Sequence, residues 1–265
     1  MVSVRFWLFV VLVILLAGCE DERKVEQALL TDCVSHYRAE SYRVASKTCL
    51  TAAEQGIPRA QWLLAHIYYY DLAEQNRTAE QAFEWFLKAA ESGWPEAQTF
   101  VGESYVAADG VEQDFDKAYQ WLVKAAKFHD TKAEFALGMM FYNGQGRPKD
   151  LGSAISWFKK AATKRHTMSI NNLAWLHATT THKAYRNAKK AMFWADKLEQ
   201  TNETQSIFLD TRAAAYALAG EFNQAITLQS EAISLLPEDV DEDRLLDFQQ
   251  RLEAYEQHRA WEEKE

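Results

Sequence analysis

Few side chains in this sequence stand at the spacings that catalysis or metal binding requires. Seven histidines are scattered along the chain, and none lies in a His-Glu-x-x-His or Cys-x-x-Cys pattern. His177 and His182 lie five residues apart, which is poor spacing for two ligands on one helical face. No Gly-x-Ser-x-Gly motif occurs, and no Ser-x-x-Lys is followed by Lys-Thr-Gly. The sequence therefore predicts no catalytic residue, no metal site and no cofactor.

The first of the three cysteines, Cys19, follows an apolar run. Twelve apolar residues extend from Phe6 to Ala17, with Arg5 before them. A membrane-spanning helix needs ~20 apolar residues, whereas a secretory signal peptide needs roughly 7 to 15 behind a basic residue. The run therefore predicts a signal peptide, and an uncleaved anchor helix is the alternative.

The residues Leu16-Ala17-Gly18-Cys19 resemble a bacterial lipobox. The resemblance implies that residues 1–18 are removed, that the Cys19 thiol receives a diacylglyceryl group, and that acyl chains tether the protein to a membrane of the cell envelope, facing the periplasm. In lipoproteins of this kind an aspartate after the cysteine directs retention in the inner membrane. Glu20 stands there and favours the outer membrane, although the choice stays open.

The charge balance bears on the class of partner. The chain has 29 Lys and Arg residues against 38 Asp and Glu residues, a net charge of -9. An acidic surface repels phosphate backbones, which argues against nucleic acid as a partner. With 48% hydrophobic and 13% aromatic residues, the chain can bury a sizeable core.

Cys33 and Cys49 form a disulfide candidate in an oxidising compartment. If residues 23–38 and 42–55 form an antiparallel helix hairpin that turns near Ser41, each cysteine lies eight residues from the turn. That spacing puts both at about 12 Å along their helix axes. Two buried thiols are the alternative interpretation.

The strongest pattern in the sequence is an internal repeat. Four tryptophans are separated by 36, 36 and 37 residues: Trp85, Trp121, Trp157 and Trp194. Three units read Ala82-Phe-Glu-Trp85-Phe-Leu-Lys-Ala-Ala90, Ala118-Tyr-Gln-Trp121-Leu-Val-Lys-Ala-Ala126 and Ala154-Ile-Ser-Trp157-Phe-Lys-Lys-Ala-Ala162. The spacing of their apolar residues predicts an amphipathic helix in each unit, and a fixed period of this size predicts stacked units.

A second helix precedes each of these, with a large apolar residue followed by a small one. The large residues are Leu64, Val101, Leu137 and Leu173, and the small ones are Ala65, Gly102, Gly138 and Ala174. Small residues in mid-helix predict that another helix backbone passes close by. We interpret these columns and the tryptophan column as core. Between the two helices, Asp114 and Asp150 end Gly-containing turns, where they are predicted to be helix N-caps.

The pattern Ala-x-x-Trp-x-x-x-Ala-Ala, preceded by Leu-Gly-x-x-Tyr and a Gly-rich turn, is similar to the Sel-one-like repeat (SLR), a relative of the tetratricopeptide repeat. The resemblance covers about four units in residues 42–205 and implies an all-α, right-handed solenoid of antiparallel helix pairs. Residues 206–237 resemble one tetratricopeptide repeat. Residues 19–41 are expected to form a lipid-anchored N-terminal cap helix and 238–265 an acidic C-terminal capping helix, whose first acidic residues favour the helix dipole.

Repeat arrays of this kind present a concave face that binds proteins or peptides. We therefore expect a non-enzymatic, membrane-anchored interaction scaffold. Two alternatives are a cell-envelope hydrolase resembling a β-lactamase, for which the sequence supplies no nucleophile, and a purely structural lipoprotein of envelope assembly.

The residues expected to bind the partner lie between the core columns of the first helix in each pair. They are Trp62, His66, Tyr69, Thr99, Glu103, Phe135, Met139, Asn172 and Trp175. Large aromatic residues and Met are enriched at interaction surfaces, although burial against the next repeat is the alternative for each of them. On the binding interpretation, replacing Phe135 and Met139 by Ala leaves the melting temperature nearly unchanged.

The lipobox generates a first test. We expect Cys19→Ala to leave a larger precursor and to abolish incorporation of labelled fatty acid, because the thiol is the predicted acceptor of the lipid. The matched control is Cys33→Ala, which removes a thiol outside the motif and should still be labelled. Continued labelling of the Cys19 variant would place the anchor elsewhere.

Overall fold

The structure, a computed structural model, describes residues 21–201, 203 and 205–263. The described residues form thirteen α-helices and no β-strand. We label as α1 the helix that covers residues 21–38. The others are α2 (Tyr42–Glu54), α3 (Pro58–Tyr69), α4 (Ala79–Glu91), α5 (Pro95–Ala107), α6 (Phe115–Ala126), α7 (Thr131–Asn143), α8 (Leu151–Thr163), α9 (Thr167–Thr179), α10 (Ala188–Glu199), α11 (Ser206–Ala219), α12 (Phe222–Ser234) and α13 (Glu242–Glu256).

The described residues divide into two compact units, one up to residue 133 and one from residue 134 onwards. Within the first unit, each helix from α2 to α6 packs against the next. Within the second unit, α8 packs against α9, and each helix from α9 to α13 packs against the next. The predicted all-α fold of consecutive helix pairs is therefore confirmed.

The predicted N-caps are confirmed at both positions. The Asp114 side chain accepts a hydrogen bond from the Lys117 backbone N–H at 2.9 Å. Asp150 accepts from the backbone N–H groups of Gly152 and Ser153. Thr78 caps α4 in a capping box with Gln81. Such caps satisfy backbone donors that the first turn of a helix leaves unpaired. The second helix of each pair, which we call the outer helix (the first being the inner helix), therefore begins at a defined residue.

The same caps connect each helix to the one before it. The backbone N–H of Asp114 donates to the Tyr105 carbonyl at 3.0 Å, and that of Asp150 donates to the Phe141 carbonyl at 2.9 Å. The third bond of this kind joins Asn187 to the carbonyl of His177, again at 2.9 Å. His177 thus takes the place of the aromatic residue without loss of the backbone contact.

The columns of large and small residues are core, as predicted, but their partner differs from the expectation. Leu64, Val101, Leu137 and Leu173 are fully buried. A Cβ atom on Gly138 would lie 2.5 Å from the ring of Phe158, and one on Gly102 would lie 2.6 Å from Leu122 Cγ. The close neighbour is chiefly a side chain of the next helix, because a large residue of that helix fills the space above the glycine.

The tryptophan column was wrongly interpreted as core. Trp85, Trp121 and Trp157 are only half-buried, and Lys88, Lys124 and Lys160 lie over their rings at 3.8, 3.7 and 3.5 Å from the ring centres. The fully buried positions are the next residues in the chain, Phe86, Leu122 and Phe158. A helix advances 100° per residue, so the tryptophans lie at the edge of the buried face, where a lysine one turn later covers them.

The last helix, α13, packs against α12. Phe248 and Tyr255 of this helix are buried. Asp241 caps α13 by accepting from the backbone N–H groups of Asp243 and Arg244. The acidic run therefore serves as a helix start, which agrees with the dipole interpretation.

In the first unit, Cys33 of α1 and Cys49 of α2 are joined by a disulfide with a Cα–Cα distance of 4.5 Å. Both cysteines are fully buried. The bond closes the turn between residues 38 and 42, so it links the first helix to the repeat that follows.

We expect protein recovered without reduction to show neither Cys33 nor Cys49 as a reactive thiol under denaturing conditions. Replacing both by Ser should lower the free energy of unfolding by ~3 kcal/mol, the chain-entropy value for a loop of about this length. Reduced protein, in which both thiols react, is the control. Two reactive thiols in the unreduced sample would contradict the pairing.

Candidate functional site

In the first unit, the binding candidates of α3 lie together in an aromatic cluster. The ring of Trp62 lies 6.3 Å from that of His66 and 6.4 Å from that of Phe100. The Tyr69 hydroxyl donates to Asp109 at 2.6 Å, a hydrogen bond that chiefly raises the pKa of Tyr69, to about 12. His66 is hydrogen-bonded to the Tyr37 hydroxyl at 2.8 Å. All three candidates are half-buried, so they are held in place with one edge open to solvent.

The two candidates of α5 differ from each other. Thr99 is only 4% exposed and its hydroxyl donates to the Pro95 carbonyl within its own helix, so it lies in the packed interior and offers no contact surface. Glu103 is exposed, yet desolvation by surrounding protein atoms raises the pKa of its carboxyl, and the charge of Lys132 opposes this rise.

In the second unit, three candidates converge on one cavity. Met139, Asn172 and Trp175, from α7 and α9, line a space of about 440 Å³. We call this space the groove; its other lining residues are Tyr142, Asn171, Ile207, Asp210, Thr211, Arg244, Phe248, Arg251 and Glu263. Phe135 does not line it. The Phe135 ring packs 5.9 Å from that of Phe158 and 4.8 Å from that of His166.

A buried ion pair lies in the wall of the groove. Arg251 Nε donates to Asp210 Oδ1 at 2.7 Å, and both side chains are less than a tenth exposed. The Arg251 guanidinium also lies 4.8 Å from the ring centre of Phe248 and 5.5 Å from that of Trp175. Burial raises the pKa of Asp210, and Arg251 acts in the opposite direction. Either charge alone would be strongly disfavoured in this desolvated place. The pair therefore joins α11 to α13 at these two residues.

Sequence reasoning missed this pair. Asp210 stands in an apolar stretch of α11, and Arg251 interrupts the apolar face of α13. Two opposite charges at core-facing helix positions are a signal that could have found them, because unpaired charges are rarely buried. The pairing itself joins residues 41 apart in the chain.

The groove also has an unused hydrogen-bond acceptor. Asn171 is 3% exposed, and its Oδ1 atom has no hydrogen-bond partner among the described residues. An unmet buried acceptor costs free energy, which an N–H group of an occupant would recover. The groove thus combines apolar walls, an acceptor, and the exposed guanidinium of Arg244 at its rim, which are the features of a site for a polar chain.

Within residues 21–201, 203 and 205–263, no three His, Cys, Asp or Glu side chains are grouped so as to hold a metal ion. None of the helices in this same part of the chain is long and apolar enough to cross a bilayer. Cys19, the predicted lipid acceptor, lies outside the described residues.

Three consecutive segments match the family model of the Sel1 repeat, over residues 58–94, 95–127 and 131–166. This part of the chain is therefore similar to Sel1 repeats. Each matched segment contains two helices, as α3 and α4 in the first segment. The first helix carries the column of large residues followed by small ones, and the second is the outer helix that follows it. The matched region is shorter than residues 42–205, where the sequence resemblance was placed.

Solved Sel1 structures show the same fold. A crystal structure of a Sel1 repeat protein from Oxalobacter formigenes is similar with a TM-score of 0.65 and 24% identity, over 77% of this chain and 84% of that one. The structure of c5321, a protective antigen of uropathogenic Escherichia coli strains with an SLR fold, is similar with a TM-score of 0.68 and 21% identity. That match covers 86% of this chain and 53% of the antigen, so this chain spans about half of its length. No curated protein matches the sequence.

The position of Phe135 and Met139 reverses the expectation for their double substitution. Both residues pack against the core of the second unit. Replacing both by Ala should lower the free energy of unfolding by about 3 kcal/mol and the melting temperature by roughly 6 °C or more. Calorimetry measures this directly.

The control for this substitution is Phe193→Ala with Leu246→Ala, which removes similar apolar groups from positions that are 52% and 50% exposed. This control should melt within about 2 °C of the parent protein, because surface substitutions usually change stability by less than 0.5 kcal/mol. Equal melting temperatures for both double variants would show that Phe135 and Met139 lie on the accessible surface.

Proposed function

We propose that this chain is a lipid-anchored scaffold of the bacterial cell envelope, and that it binds a protein partner in the groove of its second unit. Sel1 repeats are commonly protein interaction scaffolds, and stacked helical repeats use extended faces for this purpose. The observation that carries the proposal is the convergence of Met139, Asn172 and Trp175 on one cavity around the buried Asp210–Arg251 pair.

The groove has the composition of a recognition site for a polypeptide. Trp175 and Phe248 supply apolar surface, Asn171 supplies an unmet acceptor, and Arg244 supplies a cation at the rim. A polypeptide presents both N–H donors and carbonyl acceptors along its backbone. Aromatic and Arg side chains are the types that contribute most to protein interfaces. A partner with acidic groups fits Arg244 best.

The proposed location rests on the N-terminal sequence. The lipobox ending in Cys19 places the anchor at the start of the mature chain, and the repeats then face the periplasm. The Cys33–Cys49 disulfide suits this compartment because periplasmic thiols are oxidised. Glu20 after the anchor favours the outer membrane.

The groove is tested by reversing one charge at its rim. Arg244 is exposed and lies in the first turn of α13. We expect Arg244→Glu to weaken capture of the partner at least tenfold, as measured by site-specific photo-crosslinking from position 172 in cells. The fold should be unaffected, because an acidic residue in the first turn is favourable to the helix dipole.

The matched control is Lys189→Glu. Lys189 is exposed in the first turn of α10 and does not line the groove, so this variant makes the same change of charge in a similar position. It should capture the partner as the parent protein does. If the two variants behave alike, the groove of the second unit is not the binding site.

A further inference from the structure

The chain after α13 turns back onto its own unit. α13 ends at Glu256, His258 adopts a left-handed conformation with φ 56°, and residues 259–263 continue without helical structure. The His258 ring stacks on that of Phe222 at 5.0 Å with an angle of 2° between the planes. The left-handed conformation is unfavourable for residues other than Gly. The stacking of His258 on Phe222 stabilises the turn.

Residues 261–263 bind the second unit as a peptide ligand would. Arg186 donates to the carbonyl of Trp261 at 3.3 Å and pairs with the carboxylate of Glu262. The Glu263 backbone N–H donates to the Thr179 carbonyl at 2.8 Å. The Glu263 carboxylate accepts from the Tyr142 hydroxyl, also at 2.8 Å. A backbone carbonyl, a backbone N–H and two acidic side chains are thus all recognised within three residues.

The segment also borders two cavities. One is the groove, and the other has a volume of about 270 Å³. Tyr142 and Glu263 line both cavities, and the hydrogen bond joins these two shared residues. The segment therefore forms part of the wall of each cavity.

The charges around this segment are opposite to those of the chain as a whole. The protein carries a net charge of -9, yet Arg186 contacts the segment and Arg244, Arg251 and Lys149 line the two cavities. Arg251 is neutralised by Asp210, and Arg186 pairs with the carboxylate of Glu262. Arg244 and Lys149 line the same cavities as Glu263. This local complementarity favours an acidic occupant.

We infer that residues 259–263 are an internal occupant of a peptide site, and that a partner protein displaces them with an extended segment in which an aromatic residue precedes two acidic residues. The inference rests on the proposed scaffold function and names the partner's chemistry. The internal segment lowers the apparent affinity for the partner, since the dissociation constant is divided by the fraction of molecules in which the site is open. Binding then depends on a partner segment that matches the internal one.

The test uses the full-length chain in detergent micelles and a labelled synthetic peptide, Arg-Ala-Trp-Glu-Glu, the sequence of residues 259–263. Fluorescence anisotropy measures its binding. We expect Glu262→Gln with Glu263→Gln to bind this peptide at least tenfold more tightly than the parent chain, because the weakened internal segment opens the site. The peptide Arg-Ala-Trp-Gln-Gln should bind at least tenfold more weakly than the acidic one.

Two further variants distinguish displacement of residues 259–263 from a general effect of removing negative charge. Glu221→Gln with Glu231→Gln removes two exposed charges from the same unit and should leave peptide affinity unchanged. Adding Arg186→Gln to the double variant at 262 and 263 should abolish the gain, because Arg186 is the main contact of the acidic peptide. Equal affinity of the parent chain and the 262/263 variant, or equal affinity for both peptides, would overturn the inference.

A measurement on the unmodified chain covers the case in which the variants fold poorly. Excess acidic peptide should speed hydrogen exchange of the Glu263 amide, which loses its bond to Thr179, while the amides of α13 stay protected. No change would contradict displacement. The chain could instead form a dimer as its concentration rises, and the peptide could dissociate that dimer. This result would identify the occupant as a second copy of the chain and would overturn the inference of a separate partner.

Failure of the internal-occupant inference can be distinguished from failure of the scaffold proposal. If photo-crosslinking captures a partner that Arg244→Glu abolishes, while the peptide does not displace residues 259–263, the scaffold stands and the internal occupant is wrong. If the peptide binds the 262/263 variant but no protein is captured in cells, the site stands and the scaffold role is wrong.

Discussion

In two of the repeats, one helix has a glycine at the position where the next helix inserts a large side chain. Phe158 occupies the space above Gly138, and Leu122 occupies the space above Gly102. Both large residues are fully buried, so neither can move away to admit even one more carbon atom without strain. This contact sets how closely the two helices approach, and the rest of each repeat is arranged around it.

The contact also determines which residues remain available for binding. With the residue after each tryptophan buried, the tryptophans fall at the edge of the outer helices and are covered by lysines. On the inner helices, the residues beside the core column stay half-buried, as Trp62 and Trp175 do. The backbone bonds from Asp114 to Tyr105 and from Asp150 to Phe141 fix the start of each outer helix. A surface that is held this firmly can bind without a large loss of conformational entropy.

The groove of the second unit adds charge to this scaffold. Both side chains of the Asp210–Arg251 pair are buried, and such pairs are weak sources of stability because desolvation offsets their attraction. The pair gives the groove a polar section of wall, next to the aromatic rings of Trp175 and Phe248. The last described residues of the chain lie against the neighbouring Arg186 and Tyr142, and they show that an extended acidic segment fits this part of the protein.

The sequence by itself determined the local structure. The tryptophan spacing predicted the period, the glycine and alanine column predicted close helix contacts, and Asp114 and Asp150 were identified as caps, because a 3.6-residue periodicity and a cap depend on residues within one or two turns. Only the tertiary structure decided that Trp121 lies beside the core and Leu122 inside it, that Thr99 is buried, that Asp210 meets Arg251, and that Glu263 reaches Tyr142. Helical periodicity identifies the apolar face of a helix, but the side chain that covers a given position comes from a distant part of the chain, and its arrival is set by the packing of the whole unit.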